Sequence, residues 1–513
     1  MRKTKISALN AFTGLIMVII KSLTQFVLIR IFIESLGSSI FGFDQFMLKT
    51  LEFLSLAELG VGNVIGFSLY KPIAEKNKKK IISLMQFYRR IYSKIGITVL
   101  IIGILISPFF GLFIENEASK TNFNFLYVSY FLFLITTSSS YFFSYNQTFL
   151  IVSQKAFILN IIKTLFLIIG TIILISVIRF SSNYLFYLLI WCILKVLENI
   201  SCYIFVRLKH KYIFSKTKFP LKSDDKKKIN KNIKALIAHK IGGTFVLNSN
   251  LLILRIFNNF STVGFFAYYE TILSAVYLVI TQIFDGIKAS FGDYNVKNNN
   301  QKTKIMFLNL QFLSFLISSW CSVFLINICE PFICIWIGKD KQLSFIALCL
   351  FVLNFYLRSF RIPLDLLKDI NGIYWQDRYK PLVEAFVKIF FSVFLGWIFG
   401  LEGVIAGTTI SLIGVLLVVE PYIVYKYLFQ EKPLSYFFVH VKCFIFTAFM
   451  CFLSFFLSLA ITTEIDNIFL ILIRRFLVSF FLPPILFFAF LRKKQEFRFL
   501  FSVFKNFTKI NVS

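Results

Sequence analysis

The stretch Leu56–Ile81, LAELGVGNVIGFSLYKPIAEKNKKKI, changes character at Tyr70-Lys71-Pro72. Its first half is apolar and carries glycines, and its second half is crowded with lysine. An apolar run that ends abruptly in lysines marks a chain leaving a bilayer, and the lysines mark the cytoplasmic side. Pro72, just past the apolar run, fits a helix that ends there and restarts along the membrane surface.

The rest of the 513-residue chain reads the same way. It is 58% hydrophobic and only 16% charged, with a mean hydropathy of +0.77. Soluble domains are about 45–50% apolar. Apolar stretches of about 18 residues or more recur from end to end, each a candidate crossing. At ~20 residues per crossing they predict an all-α polytopic membrane protein of about 14 transmembrane helices. The first two expected spans are 8–32 and 41–69, the third is 95–114, the eleventh and twelfth are 382–400 and 402–426, and the last is 467–491. Arg474, Arg475, Pro483 and Pro484 interrupt that last span. The expected organisation is an N-terminal lobe over 1–206, a basic cytoplasmic linker over 207–232, a C-terminal lobe over 233–430, two extra helices over 431–491 and a basic cytoplasmic tail over 492–513. The segment Phe497–Ile510 reads as an amphipathic helix lying on the inner leaflet.

A net charge of +30 would point to nucleic acid on a soluble protein. Here most basic residues sit in short loops between apolar spans. With the N-terminus inside, about 38 of the 55 Lys and Arg fall in cytoplasmic segments and about 6 outside, which puts both termini in the cytoplasm. No nucleic-acid-binding motif is present. Eight scattered cysteines without a CxxC read as buried structural thiols. Three histidines without metal spacing argue against a zinc site. No cleavable signal peptide is expected, and no catalytic motif is visible. The reading is therefore not an enzyme, with no organic cofactor.

The chain also repeats itself. LIRIF (Leu28–Phe32) followed by Gly42 returns as ILRIF (Ile253–Phe257) followed by Gly264, and Ile81 after the second span matches Ile305 after the eighth. Landmarks recurring in register predict two parallel lobes related by an axis along the membrane normal, with substrate at the repeat interface.

Charge within spans is costly and therefore informative. Lys195 with Glu198 and Glu384 with Lys388 are spaced as helix-surface pairs, and Lys49 with Glu52 likewise. Arg358, Arg361 and Lys442 lie near span ends, where side chains snorkel. Two polar stripes remain: Asn10, Thr13, Lys21, Thr24 and Gln25 on the first span, and Lys240, Thr244, Asn248 and Arg255 on the seventh. Stripes on equivalent helices would line one cationic cavity suited to phosphate. Lys163 is a further basic residue within a span. Among the acids Asp44, Glu52, Glu58, Glu270 and Asp285, the last two lack a partner on their own helix and are the candidates for proton or sodium coupling.

Two longer stretches carry a family resemblance. Leu36–Ile81 resembles the second-span signature of bacterial Wzx-type oligosaccharide flippases, within the multidrug/oligosaccharidyl-lipid/polysaccharide (MOP) exporter superfamily. Asn371–Ser411 resembles the family's eleventh and twelfth spans, with Gly372, Tyr374, Pro381, Glu384, Gly400, Gly403, Val404, Gly407 and Thr408 in order. The resemblance implies two pseudo-symmetric six-helix lobes, as in MATE transporters, in a multi-pass protein of the bacterial inner membrane. It implies an alternating-access flippase for undecaprenyl-diphosphate-linked oligosaccharide. The implied partners are that lipid-linked substrate, membrane lipids, a glycan polymerase and glycosyltransferases, and not nucleic acid. The family's cationic cavity lies on spans one, two, seven and eight, which selects Lys21, Arg30, Lys49, Lys240 and Arg255; the eighth span has no Lys or Arg in its core. The alternatives are a MATE-type multidrug or cation antiporter and a membrane-embedded polysaccharide polymerase or ligase. The short external loops and the repeat speak against the latter.

Overall fold

The computed structural model describes residues 2–58, 60–108, 123–215, 217, 219–221, 223–297, 299–373, 375–463 and 466–510. Among the described residues the chain is helical throughout, without a strand. Ten segments are long and apolar enough to cross a bilayer, so this is a multi-pass membrane protein. Two of them, Phe12–Leu54 and Lys380–Phe429, are 43 and 50 residues long, about twice one crossing.

A single glycine breaks each of these long segments. Helix α1 (Arg2–Leu54) bends at Gly37, whose φ of 88° and ψ of 163° suit only a residue without a side chain. The expected loop between 32 and 41 is therefore helix on both sides of one swivel. Helix α12 (Lys380–Ser411) turns back at Gly400, with φ 59° and ψ −126°. Beyond the turn a Cβ at Gly403 would collide with the Leu395 carbonyl, and one at Gly407 with the Ser392 backbone. The Ser392 hydroxyl donates to the Val404 carbonyl across this seam at 3.1 Å. The glycines of the family-like stretch thus close a tight helical hairpin.

The expected second span is not one rod. It passes from α1 through a 3₁₀ turn at Ser55–Glu58 and a left-handed Gly60 (φ 74°) into α2 (Val61–Ala74). Tyr70 to Pro72 is still helical. The chain restarts as α3 (Lys78–Ile106), capped by Asn77, whose side chain accepts from the Lys80 amide at 3.1 Å. The end of the expected third span from residue 109 lies outside the described residues, as does Tyr374.

The remaining helices are α4 (Phe123–Val152), α5 (Ala156–Ser181), α6 (Tyr184–Lys209), α7 (Ser223–Phe257), α8 (Phe260–Lys297), α9 (Asn300–Trp336), α10 (Phe345–Phe360), α11 (Ile362–Asn371), α13 (Leu417–Val424), α14 (Leu434–Thr462), α15 (Ile468–Leu491) and α16 (Gln495–Ile510). Two prolines do not break α15, which is one helix over the last expected span. Helix α16 covers the expected amphipathic tail; its side chains from Val503 onward lie outside the described residues.

The chain forms two compact units, Met1–Gly264 and Phe265–Ser513. In the first, α1 packs on α5 and α7, and α4 packs on α3 and α6. In the second, α9 is the central helix, flanked by α10, α14 and α15. Its buried polar residues tie these neighbours together. Gln311 donates to the Phe360 carbonyl at 2.7 Å, Ser314 to the Ser359 carbonyl at 2.8 Å, and Asn327 to the Ser454 hydroxyl at 2.9 Å.

Candidate functional site: two sets of charges within the helices

In the N-terminal unit the polar stripe of α1 divides. Its beginning joins helices: Asn10 accepts from the Phe157 amide at 2.8 Å and donates to the Gln154 carbonyl at 3.1 Å, and Asn160 donates to the Thr13 hydroxyl at 3.3 Å. These bonds hold α1 and α5 parallel, in a register of 147 residues. Further along, Lys21 leaves this seam and faces a half-open slot of about 330 Å³ between α1, α5 and α6. Helix α5 contributes Lys163, and α6 contributes Lys195 and Glu198. Lys195 and Glu198 form the expected pair, at 3.1 Å. Among the described residues neither Lys21 nor Lys163 forms an ion pair. The opposite end of the slot is apolar, walled by Leu28, Leu174 and Trp191.

The other four expected cavity cations do not line this slot. Arg30 is exposed and bridges Glu34 at 2.9 Å, one turn on. Lys49 bridges Glu52 at 3.3 Å, as its spacing predicts, and also donates to Asn248 Oδ1 on α7 at 3.3 Å. It thereby touches the stripe that carries Lys240 and Arg255. Lys240 is half-buried and, among the described residues, forms no ion pair. Arg255 is 6% exposed, lies 4.3 Å from the Phe260 ring centroid and donates to the Asn258 carbonyl at 2.9 Å.

The acids divide too. Asp44 is buried and accepts from the Tyr184 hydroxyl at 3.0 Å, and Glu58 accepts from the Tyr92 hydroxyl. On α8, Glu270 is half-buried and Asp285 exposed, and neither forms an ion pair among the described residues.

The C-terminal unit holds a cluster that sequence reasoning missed. Glu420 on α13, 1% exposed, accepts from Arg361 at 2.5 Å, Lys380 at 2.7 Å and Lys368 at 3.1 Å. Each cation also holds a second carboxylate: Asp365 at 2.6 Å from Arg361, Asp377 beside Lys368, and Glu384 at 3.3 Å from Lys380. Three cations thus meet four carboxylates across α11, α12, α13 and the turn before α12. Two expectations are corrected here. Arg361 does not snorkel, because its guanidinium is drawn inward onto Glu420. Glu384 pairs back to Lys380 rather than forward to Lys388, which is fully buried one turn further along. A lone acid within LLVVEPYIVY (Leu416–Tyr425) was the available signal, since a carboxylate there must find cations. The backbone marks the place as well: π-helical turns at Leu412–Leu416 and Tyr425–Phe429 flank α13.

This fold is shared with transporters of the MOP superfamily. The lipid II flippase MurJ, in an inward closed conformation, is similar with a TM-score of 0.66 and 17% identity over 94% of this chain and 99% of that one. An inward-facing multidrug resistance MATE family transporter of the MOP superfamily is similar at 0.64, with 13% identity over 80% of this chain and 97% of that one. A MATE transporter from Vibrio cholerae gives 0.55, with 12% identity over 84% and 99%. These neighbours are transporters and flippases rather than enzymes, and at such identities the likeness is one of fold. No protein-family model and no curated protein sequence matches the chain.

Proposed function

We propose that the protein is a flippase that moves undecaprenyl-diphosphate-linked oligosaccharide, an O-antigen, capsule or exopolysaccharide repeat unit, from the inner to the outer leaflet by alternating access. It would sit in the bacterial inner membrane with about fourteen crossings and both termini cytoplasmic, counting α1 and α12 as two limbs each. The observation that carries the reading is the contact of Lys49 with Asn248, which brings a third cation onto the α7 stripe of Lys240 and Arg255. Cations gathered on two long apolar helices suit a pyrophosphate better than a neutral or cationic solute. Of the two other expected cations on α1, Arg30 is bridged to Glu34 and Lys21 faces the separate slot between α1, α5 and α6, so the transport reading rests on Lys49, Lys240 and Arg255. Glycan polymerase and glycosyltransferases are the partners this cargo would require, and Glu270 and Asp285 are the candidates for proton or sodium coupling.

The test is translocation of a fluorescent lipid-linked sugar by purified protein in liposomes. Lys240→Ala and Arg255→Ala should slow transfer about tenfold or more while insertion is unchanged. Wild-type rates in both would refute the assignment. Buried Asp44, held by Tyr184, favours a second reading, a MATE-type antiporter of organic cations. In that case Asp44→Asn would abolish drug-driven proton exchange, and the lysine variants would leave it intact.

A further inference from the structure

The slot between α1, α5 and α6 is built for something other than helix packing. Its charged residues all lie toward one end, among Met17, Phe166 and Leu167, and none stands beside Leu28 and Leu174. On α5, Lys163 stands at one end and Leu174 at the other, eleven residues and about 16 Å apart along the helix. The 147-residue register places Lys163 opposite residue 16 of α1, so Lys21 stands about 7 Å further along. Antiparallel α6 adds Lys195 and Glu198 on the lysine side and Trp191 on the apolar side. The result is a slot parallel to the helix axes, cationic at one end and greasy at the other. Glu198 neutralises Lys195, which leaves two positive charges without a counter-ion among the described residues.

We propose that this slot is a binding site for a single phosphate-bearing lipid, with the phosphate between Lys21 and Lys163 and the first part of its chain along Leu174 and Leu28. The occupant is argued from charge and shape together. Two unpaired ammonium groups within apolar spans call for an anion. The apolar end calls for a chain covalently attached to that anion. A volume of about 330 Å³ is at the small end of ligand sites, enough for a phosphate and the adjoining chain but not for an oligosaccharide. The site is distinct from the α1–α7 cations, none of which line it. Only the leaflet served rests on the topology of the proposed function: with the N-terminus inside, the cationic end faces the cytoplasmic half.

The test uses full-length protein in nanodiscs of phosphatidylcholine doped with either phosphatidylglycerol or a polyprenyl monophosphate, with lipid retained after detergent extraction counted by native mass spectrometry. Wild type should retain one phosphate-bearing lipid in preference to phosphatidylcholine. Lys21→Met with Lys163→Met should weaken retention by about tenfold per lysine removed, and Lys195→Met by less. Leu28→Trp, which fills the apolar end and leaves the charges alone, should also expel the lipid, and it decides the matter should the double variant not fold. Inorganic phosphate should not compete. Equal retention by wild type and the slot variants would overturn the proposal, as would competition by inorganic phosphate as effective as that by lipid. Lys240→Ala should keep the slot lipid. Loss of slot lipid with normal sugar-lipid transfer would leave the transport reading standing, and the reverse result would leave the slot standing.

Discussion

In the N-terminal unit, Lys21 and Lys163 stand in an apolar slot with a single acid, Glu198, which is already engaged by Lys195. In the C-terminal unit, Arg361, Lys368 and Lys380 converge on Glu420, and each keeps a second carboxylate of its own. Both sets lie inside long apolar segments, yet they differ in how their charge is compensated. A lysine near the centre of a bilayer costs about 2.5–3.5 kcal/mol on insertion scales. Among the described residues no ion pair offsets that cost for Lys21 or Lys163, whereas every cation of the second set meets two carboxylates. On the proposal above, the slot lysines are charges kept for binding rather than for folding. Charges that complete each other are explained by architecture.

The contrast breaks most readily at Glu420. Glu420→Ala leaves three cations short of their shared anion in a buried place and should cost about 3–5 kcal/mol. Thermal unfolding of the detergent-solubilised protein would register this as a large fall in Tm and poor yield. An unchanged Tm would mean that the cluster is not structural. At the hairpin, Gly407→Leu forces a side chain onto the Ser392 backbone and should cost about 1–3 kcal/mol in the same assay. Lys163→Met should do the opposite of Glu420→Ala, with Tm held or raised while lipid retention falls. A fall in both would place Lys163 with the structural charges.

The smallest expected effect is one of pH. Burial, with the neighbouring Lys155 ammonium 3.0 Å away, holds His210 below its ordinary value of 6.5. The unfolded chain therefore takes up this proton at higher pH than the folded one does. Stability from this residue is full above about pH 6.5 and is lost as pH falls below it. A Tm–pH series should show a slightly shallower acid decline for His210→Gln than for wild type.

Hydropathy read the helices well because bilayer thickness imposes a length on every apolar run, and α15 kept that length despite Arg474, Arg475, Pro483 and Pro484. The Lys195–Glu198 and Lys49–Glu52 pairs were legible because i,i+3 spacing is a local property. What escaped was non-local. Nothing near residue 420 announces that Arg361, fifty-nine positions earlier, will fold back onto it. Asn10 looked like part of a cavity stripe, but its partners are Gln154 in the α4–α5 turn and the Phe157 amide at the start of α5, 144 and 147 residues away. The break between the first two spans was expected as a loop, because sequence alone does not show that Gly37 can do the work of several residues.

The π-helical turns on either side of α13 carry a consequence for how this chain tolerates change. A π turn accommodates one residue more than the helix around it needs. Deleting a residue within Leu412–Leu416 would restore ordinary winding and rotate the rest of the helix by about 100°, swinging the Glu420 carboxylate off its three cations. Side-chain substitutions at those positions should be forgiven where a shortening by one is not, so the count of residues there is itself under constraint.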